Sequence, residues 1–576
     1  MRTAFLLSLL MIFGISTAQA ARFLVVVKNS QKFAEMHSLW TLGANQQMNR
    51  MLSARVNLTP QMTVENSLSN VGAVVVDSDD EQLASKLASS DVYVEKEIFH
   101  PAPQPLIGYH LTQAWDFSAA QPIGKHKKPK KPAPGPVDPT PAPAPAEPSA
   151  PAVIGDGGTP WGITAVHAKA AWNLSHQGQG ARVLILDTGV DRDHPALKGN
   201  IEDGKNFVGD TNTPYEYADQ EGHGTHVSGT IAGLELTDGF SGVAPAAKIL
   251  MGRVCSNEGC SNIAIVEGID WGISQKADVV SMSLGGDFGT TAEKLATQRA
   301  EAAGMVVVAA SGNAGKNSVS FPAAFPNVIA VGAVDSNLKK ADFSQWGPEL
   351  SVMGPGVAVR SSVPQGTGRD AQVSLGASAE QLHAVNSAAF MGSARLDQAV
   401  TLPLMDAGLG KPEDFQGKDF TGKLALVSRG EITFVEKVQS AIAAHAAGIV
   451  LYNNADGVIG GAATADGSVL NVPVVMIEQA VGQQASAALK AGQQVQASVA
   501  VIGSDYATFD GTSMATPHVS GVVALIKATN PKLTPAQVRD VLKSTATPTT
   551  DTNDQNQYGS GVVDAEKAVA KASQIR

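Results

Sequence analysis

Near its carboxyl end the chain reads FDGTSMATPHVSG, Phe509 to Gly521, with Ser513 held between a glycine turn and an apolar run. A serine hydroxyl is a weak nucleophile until a neutral imidazole takes its proton, and that imidazole needs a carboxylate to hold its tautomer. The sequence offers both. RVLILDTGVD puts Asp187 where an apolar strand ends, and EGHGTHVSGTIAG puts His223 between glycines at the start of a helical pattern. Charge developing on an attacked carbonyl also needs donors already aimed at it. Asn313, after the apolar run VVVAA, has a side-chain amide to give. Ser513 itself sits just before a helix, where backbone N–H groups point outward and favour negative charge.

Elements of a definite kind must carry these residues. From Trp161 onward RVLILDTG, KILMGRV, ADVVSMSL, MVVVAA and NVIAVGAV alternate with helical patterns. Fully apolar strands between helices predict an α/β fold whose doubly wound, mainly parallel sheet is covered on both faces. The pattern breaks near Val363 and resumes at Tyr506, and GVVALIKAT then reads as a buried helix. The intervening stretch has its own strands and helices in GKLALVSRG, TFVEKVQSAIAAHAAG, IVLYNN and VPVVMI, and reads as a domain inserted at a surface loop. At the other end FLVVVK, a helical stretch around Phe33 to Leu52, AVVVDS, the helix EQLASKLA and VYVEKEIF make a small α+β unit ending near His100. The tract GKHKKPKKPAPGPVDPTPAPAPAEPSAP follows, too rich in proline for helix or sheet ladders, and is a spacer. The expected segments are 1–20, 21–104, 105–158, 159–366, 367–503 and 504–576.

A chain of 576 residues is too long for a single core. Its hydrophobic share of 43% and charged share of 16% describe a globular protein. A net charge of -11 argues against a nucleic-acid binder, and the basic run Lys125 to Lys131 lies among prolines as a solvated tether. Arg2, the apolar run AFLLSLLMIFGI and Ala18-Gln19-Ala20 make an export signal cleaved after Ala20. No later run approaches the roughly 20 apolar residues of a membrane span, so a secreted, extracellular protein is expected, with retention in a periplasm or at the cell surface left open. The two cysteines, Cys255 and Cys260, are expected to form a disulfide after export. A zinc site would need further ligands, and none is near.

The segments LDTGVD, HGTHVSGTIAG, SMSLGG, ASGNAG and GTSMATPHVSG, in that order, resemble the subtilisin-like serine peptidases over residues 160–365 and 505–575. The resemblance implies that Asp187 orients, His223 is the general acid and base, and Ser513 attacks a peptide carbonyl. Asn313 and the Ser513 N–H would then form the oxyanion hole. Ser283, Leu284 and Gly285 would offer an edge to which substrate backbone adds as a strand, with Ser311, Gly312 and Ser320 bordering the substrate. Ser320 falls where the family keeps a glycine on its pocket floor, which predicts a narrower, more polar floor that disfavours large aromatic residues. Residues 21–104 are similar to the family's inhibitory propeptide, and the insertion resembles its protease-associated domain. Protein or peptide substrates and the chain's own propeptide are the implied partners. No cofactor is required. The family's usual calcium site would fall at Ala196 and Leu236, whose side chains cannot ligate, so it is expected to be missing; Asp203, Asp210 and Asp238 are the acids left for calcium elsewhere.

Three rival readings fare worse. Asp187-Thr188-Gly189 is also the aspartic peptidase triplet, but that chemistry needs a second such carboxylate. Ser513 lies outside any G-x-S-x-G elbow, which disfavours a carboxylester hydrolase. An inert scaffold carrying a binding insertion would leave the Asp, His and Ser motifs without a purpose. His226 and His518 read as core histidines, while His383 and His445 have no partner visible in the sequence.

Overall fold

Six short apolar runs and one polar edge strand build the central sheet. In this computed structural model, which describes residues 21–27, 62–78, 83, 92–102 and 158–576 apart from 210–214, 257, 455–457, 459–460, 462, 465–467 and 550–553, they pair in parallel throughout. The expected export signal, the helix around Phe33 to Leu52, most of the EQLASKLA helix, Asp210 and the proline tract lie outside the described residues.

The sheet contains β6 (Arg182–Asp187), β7 (Ile201–Asn206), β8 (Lys248–Arg253), β11 (Val279–Met282), β12 (Val306–Ala310), β13 (Ile329–Val334) and β14 (Leu350–Pro355). Four strands of the amino-terminal unit precede the sheet in the chain: β1 (Ala21–Val27), β2 (Met62–Leu68), β3 (Ala73–Ser78) and β4 (Val92–Lys96). Its strand order is β14-β13-β12-β11-β6-β8-β7, so the winding reverses beside β6. In open α/β sheets the crevice at such a reversal, past the carboxyl ends of the strands, is where ligands bind. Asp187 is the last residue of β6. Within β6, Val183 and Ile185 enter one core and Leu184 and Leu186 the other, all four fully buried. Burial on both faces is why the run is apolar without alternation, and each such side chain contributes about 1.5–3 kcal/mol. The edge strand β7, IEDGKN, has no fully buried residue and one apolar side chain, which is why its sequence carries little strand signal.

Helices α1 (His223–Ala232), α2 (Asn262–Ser274), α3 (Thr291–Ala302) and α4 (Thr512–Thr529) pack against this sheet. Helix α4 is buried from Thr512 to Lys527, so it runs through the core and holds Ser513 rigidly at its first turn.

The insertion leaves and returns through adjacent strands. β15 (Val359–Ser362) pairs antiparallel with the strand Tyr506–Phe509, and Gly368 pairs with Ser504 directly beyond them. Between these strands lies an eight-stranded mixed sheet with two apolar clusters of its own, one centred on Leu424, Val450 and Val499 and one on Phe390, Phe420 and Val438. Its long antiparallel strands, over Gly368–Gly376, Leu396–Asp406 and Gln496–Ser504, went unread in the sequence because they alternate polar and apolar residues among many alanines and glycines.

The amino-terminal strands form an antiparallel sheet, β2-β3-β1-β4, that packs on α2 and α3. Leu24, Val26, Leu68, Val71 and Val75 join Ile265 and Ile269 in one apolar cluster. Around that patch Asp270 accepts from the Asn70 and Val71 N–H groups at 2.7 and 3.0 Å, and Glu267 accepts from Asn66 at 2.7 Å. Glu95 accepts from the Thr291 and Ala292 N–H groups at 2.8 and 3.1 Å, capping the unpaired donors at the start of α3.

Candidate active site

Two glycines bring the strand end and the histidine helix together. Gly189 follows β6 at φ 119°, a left-handed value that favours glycine, and a Cβ there would lie 2.7 Å from the Tyr217 and Ala218 carbonyls. A Cβ on Gly224 would stand 2.1 Å from the Gly189 carbonyl. Because neither has one, α1 starts directly over the end of β6. The His223 Nδ1–H donates to Asp187 Oδ1 at 2.7 Å, with both residues fully buried. That carboxylate oxygen also accepts from the Thr188 N–H at 2.8 Å. His223 Nε2 has no hydrogen-bond partner among the described residues.

Behind the pair lies a residue that the sequence reading passed over. Asp219 is buried, and its oxygens accept from Thr188 Oγ1 at 2.9 Å, Gly222 N at 2.8 Å, Glu221 N at 3.1 Å, Thr225 N at 2.8 Å and Thr225 Oγ1 at 2.6 Å. Thr188 Oγ1 in turn accepts from Gly224 N at 2.9 Å. The loop before His223 is thereby tied to the residue after Asp187. An acid four residues ahead of a histidine resembles any solvated loop acid, so only the fold reveals this role. Burial pushes the Asp219 carboxyl above its ordinary range while the hydrogen bonds pull it back. Burial also opposes charge on His223, but Asp187, by charge and hydrogen bond, with Asp219 and Glu221 further off, leaves the imidazole above its ordinary value.

Ser513 is the second residue of α4 and keeps 6% exposure. Pro517 lies one turn on and has no N–H to give the Ser513 carbonyl. Ser283 Oγ takes that place, donating to Ser513 O at 2.8 Å, and Ser513 Oγ donates back to Ser283 O at 3.0 Å. The end of β11 and the start of α4 are therefore clamped to each other. Asn313 Oδ1 accepts from Thr512 N at 2.9 Å and Thr512 Oγ1 at 2.8 Å, which turns its amide nitrogen the other way. A Cβ placed on Gly511, whose φ is 146°, would lie 3.5 Å from both Asn313 Nδ2 and Ser513 N. Two donors thus flank one small space that a glycine leaves open. Helix geometry gives a first-turn N–H such as that of Ser513 no intrahelical acceptor.

The remaining expected site residues sit around this centre. Past β11, Gly286 pairs with Phe321, each N–H donating to the other's carbonyl at 2.9 Å. A Cβ on Gly285 would lie 3.4 Å from Ser320 Cβ, and one on Gly312 would lie 2.4 Å from Ser320 Oγ. Ser320 is therefore the side chain between those two glycines, with Gln345 Oε1 3.5 Å from its hydroxyl. Leu284 is buried, and Ser311 is turned inward, donating its hydroxyl to Gln345 O at 3.0 Å. Cys255 and Cys260 face each other across a short hairpin of β9 (Cys255–Ser256) and β10 (Gly259–Ser261) and are joined by a disulfide. His226 donates to the Val359 carbonyl at 3.0 Å and stacks on Phe509, and burial pulls its pKa down to about 3. His518 Nδ1 donates to Met514 O at 2.8 Å, with a pKa pulled down to about 4 by burial. Both are core histidines, as expected. Among the described residues no three His, Cys, Asp or Glu side chains gather as a metal site, and no helix is long and apolar enough to cross a membrane.

The model of the subtilase family matches residues 178–389 and 479–561, and that of the PA domain matches residues 400–485. Subtilisin E of Bacillus subtilis (strain 168) is 42% identical over 213 residues, 36% of this chain and 55% of that protein, so the match spans about half of that relative's length. M-protease of Shouchella clausii is 30% identical over 411 residues, 71% of this chain and 69% of the relative. The psychrophilic subtilisin-like protease Apa1 of Pseudoalteromonas sp. AS-11 superposes with a TM-score of 0.54 at 32% identity, covering 73% of this chain and 99% of that one. The chain belongs to the subtilase family and carries an inserted PA domain.

Proposed function

We propose that this chain is an exported serine endopeptidase, made as a precursor whose own amino-terminal unit occupies the substrate site. The observation that carries the reading is the buried 2.7 Å bond from His223 to Asp187, with Ser513 at the start of α4, the helix packed on α1. His223 Nε2 takes the Ser513 proton as Oγ attacks a peptide carbonyl, after Oγ turns away from Ser283 O. The oxyanion fills the space between Asn313 Nδ2 and Ser513 N. His223 then gives the proton to the leaving amine, and water opens the acyl-enzyme with His223 again as base. Asp187 holds Nδ1 protonated, so that Nε2 is free to accept, and stabilises the imidazolium.

Inhibition in the precursor rests on the added strand. The short strand β5 (Phe99–His100) pairs antiparallel with β10, and its His100 ring lies against Gly286, so it would occupy the path of substrate backbone. Cleavage of the chain after this strand would release the unit. Export rests on the amino-terminal sequence alone.

The test compares the purified protein with Ser513→Ala, both expressed with export, by intact mass and by hydrolysis of an unfolded protein. A wild type that is shortened and active, beside a variant that keeps everything after Ala20 and is inactive, supports the reading. Equal hydrolysis by both ends it.

A further inference from the structure

We propose that Glu293 floors a substrate subsite that selects histidine or a basic side chain upstream of the bond that is cut, and that His100 is the built-in mimic of that side chain. This rests on the peptidase reading above and specifies its substrate. His100 is the last residue of β5, only 4% exposed, and its Nε2–H donates to Glu293 Oε1 at 2.7 Å. Glu293 is fully buried at the first turn of α3. Its other oxygen is already used, accepting from the Thr290 N–H at 2.9 Å in a capping box. Among the described residues, His100 is the one side-chain donor on Oε1.

The setting of His100 is that of a bound peptide. Its backbone pairs with Cys260, and a Cβ on Gly259 would stand 2.3 Å from the His100 carbonyl. On the other side a Cβ on Gly286 would stand 2.4 Å from His100 Nδ1. The segment therefore passes between the β10 edge and the Gly285–Gly286 edge, with glycines on both sides admitting it closely. Neighbouring Phe99 is 46% exposed, so the groove grips one side chain of the pair and leaves the other in solvent.

The choice of occupant follows from the carboxylate. Once the strand is cut and leaves, any substrate entering the groove covers Glu293 again. An apolar side chain there would strand a dehydrated acceptor, whereas an imidazole or a basic group satisfies it. An acidic side chain would set two carboxylates together. The expected discrimination is about ten- to a hundredfold in kcat/KM, the range that an unpaired buried acceptor costs.

The experiment uses enzyme from the exported full-length chain and internally quenched peptides whose upstream positions are scanned through His, Lys, Arg, Leu, Phe and Glu. One upstream position should favour His, Lys or Arg over Leu by at least about tenfold, with Glu worst. In Glu293→Leu the order at that position should reverse. Glu293→Gln keeps the capping acceptor for Thr290 N–H and turns its amine to the groove, where it can donate to the unprotonated nitrogen of a neutral imidazole but meets Lys and Arg as donor against donor, so it should keep part of the His preference and lose that for Lys and Arg. A position-independent profile, or a preference that survives in Glu293→Leu, overturns the proposal. Cleavage of no peptide at all, with Ser513→Ala equal to wild type, would instead remove the peptidase reading beneath it.

Discussion

The substitution Asp219→Asn tests how the Asp187–His223 pair is held. One asparagine oxygen can keep the three bonds from Thr188, Glu221 and Gly222, but the amine then meets Thr225 N, a donor 2.8 Å from the present oxygen. Thr225 Oγ1 can turn, since it already accepts from Asp191 N at 3.0 Å. The backbone N–H in the first turn of α1 cannot. A buried donor left facing a donor costs about 1–3 kcal/mol, partly offset because a neutral amide is easier to bury than a carboxylate. A net loss of about 1–2 kcal/mol corresponds to a fall of roughly 2–8 °C in Tm. The variant also removes one of the negative charges that hold the His223 imidazole up. With less negative charge nearby, imidazolium gives up its proton at lower pH. Because the base must be neutral to act, the acid limb of kcat/KM moves to lower pH. Melting is measured in a Ser513→Ala background, which prevents self-digestion, and the pH profile on a single peptide. An acid limb that stays in place or moves upward refutes the electrostatic link, and an unchanged Tm refutes the packing argument.

Two further outcomes follow from the site. Asn313→Ala should lower kcat by about 10²–10³-fold, the range known for this donor within the family, with little change in KM; steady-state kinetics showing a KM effect alone would place Asn313 in ground-state binding. Ser320, between Gly285 and Gly312, should make the wild type slower after Phe or Tyr than after Leu, Met or Ala, and Ser320→Gly should narrow that gap. A peptide panel in which the wild type already prefers Phe or Tyr would count against a polar floor.

Much of the chemistry was written locally. Asp187, His223, Asn313 and Ser513 each stand at the junction of an apolar run and a glycine turn, and such junctions can be read from composition over a few residues. The parallel sheet was equally legible, because strands buried on both faces are unbroken apolar runs. The edge strands β7 and β14 and the alternating strands of the insertion escaped: β7 has Ile201 as its one apolar side chain, β14 (LSVMGP) is broken by Ser351, Gly354 and Pro355, and in the insertion a solvated face dilutes the apolar signal.

Which polar residues matter away from the motifs was another matter. Asp219, Glu293 and His100 are ordinary in sequence: a loop acid, a helix-cap glutamate and a histidine at the end of a strand run. Burial and partners give them meaning, and both come from contacts across 193 residues for His100 and Glu293 and 31 for Thr188 and Asp219. The sequence alone carried the family's motifs, most of the parallel sheet and the residues of the proposed catalytic set, because those depend on local pattern. Only the tertiary structure ties Asp219 to the loop before His223 and brings His100 onto Glu293, because a buried charge is defined by what surrounds it in space.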